Sequence, residues 1–449
     1  MAQRLVVVGG DAAGMSAATN ARRGRPDLEI VVLEKGDHTS YSACGIPYVV
    51  SGTVQELDDL VVRTPQEFRD GFRIDVRTRH EVVGIDLDAR RLEVRALDQA
   101  RSLHLGFDLL HVATGARPLR PPLPGIDGPG IHGVQTLADA QDLLDVIDAS
   151  RCRTVTVVGA GYIGLEMAEA FVKRGARVTM VDVAPQPMGT LDPEMGQLVA
   201  DAVRRFGVDL RCGVAVEGFS PGLVHTADGD IESELTILGL GVSPNSALAI
   251  DAGLAAGARG AISVDHRQRT SAEGIWAAGD CADVRHRVSL EKVHIALGTV
   301  ANKTGRVAGV NIGGGYASFG GVLGTAVTRV CDVEIARTGL NEVECRQAGI
   351  EVDIGAVTST TRAGYYPSGA PVHAKVLAER GSGRIVGGQL VGADRAGKRI
   401  DTVATAITAG MSVDEFADLD LAYAPAVSPL WDAFALAARR VVSGRTAGA

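Results

Sequence analysis

Two glycine-rich turns in this chain are each followed, one strand later, by an acid, a pattern suited to gripping a dinucleotide. Gly9-Gly10-Asp11-Ala12-Ala13-Gly14 precedes an apolar run that ends on Glu34, with Lys35 next to it. Gly159-Ala160-Gly161-Tyr162-Ile163-Gly164 precedes one that ends on Asp182. The chemistry follows from the residue types. Glycines let backbone N–H groups at a helix start face a pyrophosphate, and the acid takes a ribose hydroxyl. A lone glycine turn is at home in any α/β protein, whereas two, each with its strand, helix and acid, point to binding. Thiol chemistry is the other candidate. The cysteines stand at positions 44, 152, 212, 281, 331 and 345. They form no CxxC pair and no metal spacing, so no metal site is expected.

The elements around the turns fit this use. Arg4-Leu5-Val6-Val7-Val8 reads as a buried parallel strand, the small residues after Gly14 as a helix, and residues 28–33 as a second strand. The unit recurs: a strand over 153–158, a helix from Leu165 to about Lys173 and a strand over 176–181. The stretch 118–125, with four prolines, reads as the linker into this second unit. From about Gly320 the texture changes to strands over 372–377 and 385–391 and a helix over 400–409, a separate α+β domain.

Composition narrows the alternatives. At 449 residues, the chain is about three domains long at ~150 residues each. Lys plus Arg number 45 against 54 Asp plus Glu, a net charge of −9, which argues against a nucleic-acid binder that neutralises phosphates. No apolar run reaches the ~18 residues of a membrane span, and the short stretch from Leu5 to Gly10 leads into Asp11 with no cleavable segment. Unpaired cysteines with no secretory signal give a cytoplasmic expectation. Glycine is in excess, 56 of 449 residues against an average of about 7%, as expected of a backbone that approaches ligands closely.

A third segment is longer and more specific. Thr270-Ser271-Ala272-Glu273-Gly274-Ile275-Trp276-Ala277-Ala278-Gly279-Asp280 sets a threonine and a short apolar strand before Ala-x-Gly-Asp. It resembles the second flavin motif of the FAD-dependent pyridine nucleotide-disulfide oxidoreductases, where the aspartate holds the ribityl chain. Phe107-Asp108-Leu109-Leu110-His111-Val112-Ala113-Thr114-Gly115-Ala116-Arg117-Pro118 resembles the family's connector between its nucleotide domains. Leu238-Gly239-Leu240-Gly241-Val242-Ser243-Pro244-Asn245 resembles the return connector. In the family's order, these matches span nearly all of the chain to about residue 320.

The resemblance implies an α/β fold with two Rossmann-like nucleotide-binding domains and a C-terminal α+β dimerisation domain. The FAD domain would be discontinuous, 1–116 and 245–319, the NADH domain 117–244 and the dimerisation domain 320–449. FAD would lie on Gly9, Gly10, Asp11, Ala12, Ala13, Gly14, Glu34, Lys35, Ala113, Thr114, Gly115, Gly279 and Asp280. NADH would lie on Gly159, Gly161, Tyr162, Ile163, Gly164, Asp182 and Gly241, with Tyr162 over the nicotinamide pocket and Glu166 near the flavin. Asp182, followed by Val183-Ala184-Pro185-Gln186 with no arginine, favours NADH over NADPH.

Cys44, in Ser40-Tyr41-Ser42-Ala43-Cys44-Gly45-Ile46-Pro47-Tyr48, falls just after the first unit, where it could reach the flavin. Burial as a small apolar residue is the bland alternative. A thiolate, favoured by a helix start or positive neighbours, is the reactive form. The two-cysteine branch of the family needs a second cysteine where this chain has Val49. The resemblance therefore narrows to the single-cysteine branch of coenzyme A disulfide reductases, NADH oxidases and NADH peroxidases. Oxidases and peroxidases carry histidine where this chain has Ala12, so a disulfide reductase is favoured. Residues 363–367 and 421–425 resemble the reductases' tyrosine segments, which implies that Tyr365 and Tyr423 reach the sulfur of the other subunit in a homodimer. Ala43 and Ala426 depart from the reductase pattern. Arg22 and Arg23 are candidates for coenzyme A phosphates, with an exposed helix face as the equal alternative. The expected reaction takes electrons from NADH through FAD and Cys44 to a small-thiol disulfide or persulfide. An oxygen-reducing NADH oxidase and a flavin reductase for an electron-carrier protein are the alternatives.

Overall fold

The computed structural model describes residues 3–150, 152–393 and 395–447. Its first sheet has five parallel strands, in the order Ile275–Ala277, Leu109–Val112, Arg4–Val8, Glu29–Leu33, Asp75–Arg77. The strands from 5 to 8 and 30 to 33 are buried throughout, which is why they read as continuous Val/Leu/Ile runs rather than alternating ones. A three-stranded antiparallel sheet spanning His80–Gly106 is appended to this layer.

The helix Ala12–Gly24 has no large side chain on most of its length, and that is how it packs. Against it lies the helix Gly298–Ile312, so close that a Cβ at Gly305 or Gly309 would strike the carbonyls of Ala13 and Ala17. Small residues on both helices thus fix where the first helix begins, beside Gly9 and Gly279. In a Gly305→Ala variant, that start would have to move.

The second sheet repeats the arrangement in the order Asp209–Cys212, Arg177–Asp182, Thr154–Val158, Leu235–Leu238, Ile131–Gly133. The helix after its glycine turn runs Tyr162–Lys173, three residues earlier than the apolar pattern predicts, because Gly161 itself is the N-cap. An antiparallel pair, Ala116–Pro118 with Val242–Pro244, carries the chain between the two sheets. The third sheet is antiparallel, in the order Ala326–Val330, Val333–Gly339, Ile385–Gly392, Pro371–Glu379, Val352–Thr360. Ile400–Ala409 and Ala433–Ala447 pack against it around Val403, Phe416 and Phe434. Among the described residues no helix is long and apolar enough to cross a membrane.

Candidate active site

The first glycine turn is shaped by backbone approaching backbone. Gly9 sits at φ 103°, where an L side chain is strained, and a Cβ there would collide with the Ala113 carbonyl. Gly14 would meet the Gly9 carbonyl in the same way, and Gly279 would come within 2.8 Å of the Ala13 Cβ. Glu34 is held by two backbone donors, Gly10 N–H to Oε2 and Gly36 N–H to Oε1, both at 2.7 Å. Lys35 points elsewhere, 3.0 Å from Glu81 on an exposed surface. Thr114 donates to the Asn245 carbonyl at 2.6 Å, and Asn245 donates back to the Thr114 carbonyl at 3.2 Å, which locks the two connectors together at Gly115.

Two acids face the start of the first helix. Asp11 is its N-cap, and its Oδ1 accepts the Tyr41 N–H at 3.1 Å. Burial pushes the Asp11 carboxyl up to about 6, against the pull of the backbone donors at Tyr41 and Ala12. Asp280 Oδ1 is buried with no hydrogen-bond partner, and burial raises this carboxyl too. A buried acceptor left open at the end of a glycine cradle needs a donor from outside the chain.

The second turn repeats the geometry. Gly159 stands at φ 104°, and a Cβ at Gly164 would strike its carbonyl. Around Gly161 nothing lies within 4 Å of where a side chain would start, so the helix entry is open. Asp182 accepts from Ala160 N–H at 2.6 Å and Ala184 N–H at 2.8 Å, the same double grip as at Glu34. Ile163 is part-buried beside the core, and Gly241 adopts φ 85° in the return connector. The Tyr162 hydroxyl is buried close to Thr190, without a well-formed hydrogen bond among the described residues.

Cys44 lies in the short helical turn Ala43–Gly45, just before the helix Ile46–Val50, and is exposed; a narrow cleft lies along that helix. Pro47, Tyr48, Glu166, Glu169 and Lys173 line that cleft. Desolvation by the surrounding protein raises the Cys44 thiol, and the nearby acids Glu166, Asp280 and Asp11 raise it further. Burial is the largest cause and the three acids add to it, with only a local backbone hydrogen bond pulling the other way. Glu166 is itself raised by burial, opposed by a hydrogen bond from Thr328 Oγ1 at 2.6 Å.

The structure brings Tyr365 and Tyr423 together, hydroxyl to hydroxyl at 3.5 Å, on an open face of the third sheet's domain; they are 77% and 44% exposed. Val427, Leu430 and Trp431 are exposed beside them in sequence. Among the described residues, no hydrogen bond or ion pair joins either tyrosine to Cys44. Arg22 is corrected: its guanidinium donates to the carbonyls of Phe72, Pro26, Leu28 and Arg73 at 2.6–3.0 Å, so it anchors the chain and is spent for phosphate binding. Arg23 stays exposed. Cys281 is buried, its Sγ against the Ala278 and Val112 carbonyls at 3.4 and 3.6 Å, a structural role. Thr328, Tyr48 and Asn245 were not signalled as site residues. Asn245 closes the return connector and Tyr48 follows Cys44 by four residues, whereas Thr328 enters the site only through its tertiary contact with Glu166.

The same architecture occurs in known proteins. A family model described as pyridine nucleotide-disulphide oxidoreductase matches residues 3–305, and that family's dimerisation domain matches residues 325–433. An NADH oxidase of Methanocaldococcus jannaschii is 36% identical over 97% of this chain and 98% of its own length. An NAD(P)H coenzyme A polysulfide/persulfide reductase of Pyrococcus horikoshii is 36% identical over 98% of both chains. The solved structure of an NAD-dependent persulfide reductase from A. fulgidus superposes with TM-score 0.95 at 37% identity, over 99% of this chain and 84% of that one. With the two family models matching 3–305 and 325–433, most of the length is accounted for: the chain belongs to the pyridine nucleotide-disulphide oxidoreductase family.

Proposed function

We propose that this protein is a homodimeric FAD enzyme that takes electrons from NADH and delivers them through Cys44 to the disulfide or persulfide of a small thiol such as coenzyme A. One observation carries the reading. Cys44 lies near enough to Glu166 of the second cradle and to Asp280 and Asp11 of the first for all three charges to act on its thiol, which supports a single sulfur serving both nucleotide sites. Residues 1–116 with 245–319, 117–244 and 320–449 would serve as the FAD, NADH and dimerisation domains.

The first cradle fits FAD. Its glycines leave no room for side chains, Glu34 is preset by two N–H donors for a ribose, and the orphaned Asp280 oxygen awaits a hydroxyl. Lys35 lies at the rim. Bound there, the flavin would supply the two-electron chemistry that links hydride donor to sulfur. The second cradle fits NADH, with Asp182 aimed at a ribose diol and opposed to a 2′-phosphate. Tyr162 would cover its nicotinamide end. Glu166, raised by burial, can hold a proton beside Cys44.

The Cys44 thiolate attacks one sulfur of the substrate, forming a mixed disulfide and releasing the other half as a thiolate. That thiolate takes a proton from Tyr365 or Tyr423, supplied in trans by a second copy of the chain. The exposed apolar residues next to these tyrosines support such an interface. A cytoplasmic setting suits a cysteine that must return to the reduced form, and the acidic net charge speaks against a nucleic-acid partner.

Oxygen reduction is the second reading, supported by the M. jannaschii relative named NADH oxidase. Ala12, a methyl group beside the first turn, gives a sulfenic acid no polar support and favours the sulfur acceptor. NADH consumption measured against coenzyme A disulfide, a persulfide and oxygen separates the two. Sulfur acceptors should give the higher kcat/KM, and faster turnover with oxygen than with every sulfur compound would reject the proposal.

A further inference from the structure

The strongest unexplained feature lies outside the cleft: a row of large, buried polar side chains across the third sheet. Arg337, Gln389 and Lys375 stand directly opposite one another on three neighbouring strands. All three are buried, Lys375 and Gln389 at 1% exposure. Directly paired residues share a face of a sheet, so the row presents one guanidinium, one amide and one ammonium together.

The row meets the segment that runs from Asp182 to the helix Pro193–Arg205. At its far end Asp192 is fully enclosed, with 1% of its surface exposed. Gln389 Nε2 donates to Asp192 Oδ2 at 2.6 Å, and the Asp192 N–H returns to Gln389 Oε1 at 2.8 Å. Lys375 Nζ lies 2.8 Å from the same carboxylate, and the Glu342 N–H donates to Oδ1 at 2.9 Å. Lys375 also contacts Glu194 and Glu342. Two residues back, the Thr190 carbonyl accepts from Arg337 Nη1 at 2.7 Å and Asn341 Nδ2 at 3.2 Å.

The near end of the segment touches the second glycine turn. Met188, buried and left-handed at φ 53°, donates its N–H to the Ala160 carbonyl at 2.9 Å. Ala160 is the residue whose own N–H grips Asp182. A continuous set of contacts thus runs from Lys375 and Gln389, through Asp192 and Met188, to the turn and its acid.

We infer that the buried row Arg337–Gln389–Lys375 is a positioning device for the dinucleotide turn: the third domain clamps residues 188–192 and so fixes Ala160 and Asp182. The inference rests on the reading that this turn holds NADH. None of the three residues belongs to the turn or bonds to Asp182, so Gln389 and Lys375 would act through the backbone of 188–192, while Arg337 also lies near enough to Tyr162 for its charge to act on that side chain. The charge pattern suits a clamp, because one ammonium faces three carboxylates and its removal leaves Asp192 buried and uncompensated. A purely structural clamp would lower all functions together, whereas a positioning clamp changes NADH capture selectively.

The test compares Gln389→Leu, which removes both hydrogen bonds to Asp192 but leaves its ammonium partner, with Lys375→Met and Lys375→Arg. Each is prepared as the FAD-loaded dimer, with flavin content and Tm recorded. In Gln389→Leu, KM for NADH should rise about tenfold or more while kcat at saturation and KM for the disulfide change little. Lys375→Met should show the same split more strongly, and Lys375→Arg should recover part of it. An unchanged KM for NADH in a folded, flavin-loaded Gln389→Leu protein overturns the clamp, as does a matched fall in every parameter. A wild-type protein that oxidises no NADH at all instead removes the underlying reading, and the clamp with it.

Discussion

The hydroxyl of Thr328 donates to the Glu166 carboxylate at 2.6 Å across 162 residues of chain. One strand of the antiparallel domain thereby touches an acid on the helix of the second glycine turn. Burial raises the Glu166 pKa above its ordinary value, and the Thr328 bond only partly offsets this.

A stability signature follows. A carboxyl whose folded pKa exceeds its unfolded one binds more protons when folded, so stability falls as pH rises from about 4.5 through the raised value. Above that window the buried charge is a standing cost. Glu166→Gln, which keeps an oxygen for Thr328, should raise Tm at pH 7.5 and leave it unchanged at pH 4. Thermal unfolding at the two pH values decides it, and an equal shift at both would assign the effect to packing.

Asp11 predicts how the flavin is held. Its carboxyl, raised to about 6, stands at the start of the helix that would face a pyrophosphate. Below that pH it is neutral and repels phosphate less, so release of FAD on dilution should slow as pH falls through about 6. Asp11→Asn keeps an acceptor for the Tyr41 N–H and should release FAD slowly at every pH, with no step. A step that survives in the variant would point to another group.

Asp182 predicts cofactor choice. Two N–H donors hold both of its oxygens in place, and a 2′-phosphate would meet a fixed negative charge. The ratio of kcat/KM for NADH over NADPH should exceed about tenfold in the wild type, the scale of a single misplaced charge. In Asp182→Ala it should fall toward unity, mainly through loss of the NADH rate.

Tyr365 and Tyr423 predict a shared site. They meet at 3.5 Å on an exposed face, without a hydrogen bond to Cys44 of their own chain. Mixing inactive Cys44→Ser protein with inactive Tyr365→Phe, Tyr423→Phe protein should restore disulfide turnover in hybrid dimers, which carry one intact site. No recovery after confirmed subunit exchange would place the whole site within one chain.

Much of the frame was legible in the sequence because local physics writes it there. Gly9 and Gly159 must adopt positive φ, and the strands before them are buried on both faces, so turn and strand announce themselves within ten residues. The strand Arg4–Val8 and helix Ile400–Ala409 fall where their patterns place them. The cleft was less legible. Thr328 reaches Glu166, and Gln389 reaches Asp192, across 162 and 197 residues, and neither contact leaves a local pattern. Arg22 shows the opposite failure. Its charge suggested an anion site, but four backbone carbonyls claim it. The acids that act on the Cys44 thiol leave no local pattern either, since they come from distant turns.

The central claim is that Cys44 alone carries electrons out of the protein. Stopped-flow mixing of the FAD-loaded Cys44→Ser protein with NADH, followed by a coenzyme A disulfide challenge, tests it most directly. The account predicts flavin bleaching at near the wild-type rate, because Tyr162, Glu166 and Asp182 are untouched, and no reoxidation by the disulfide. Continued disulfide turnover in Cys44→Ser would contradict it.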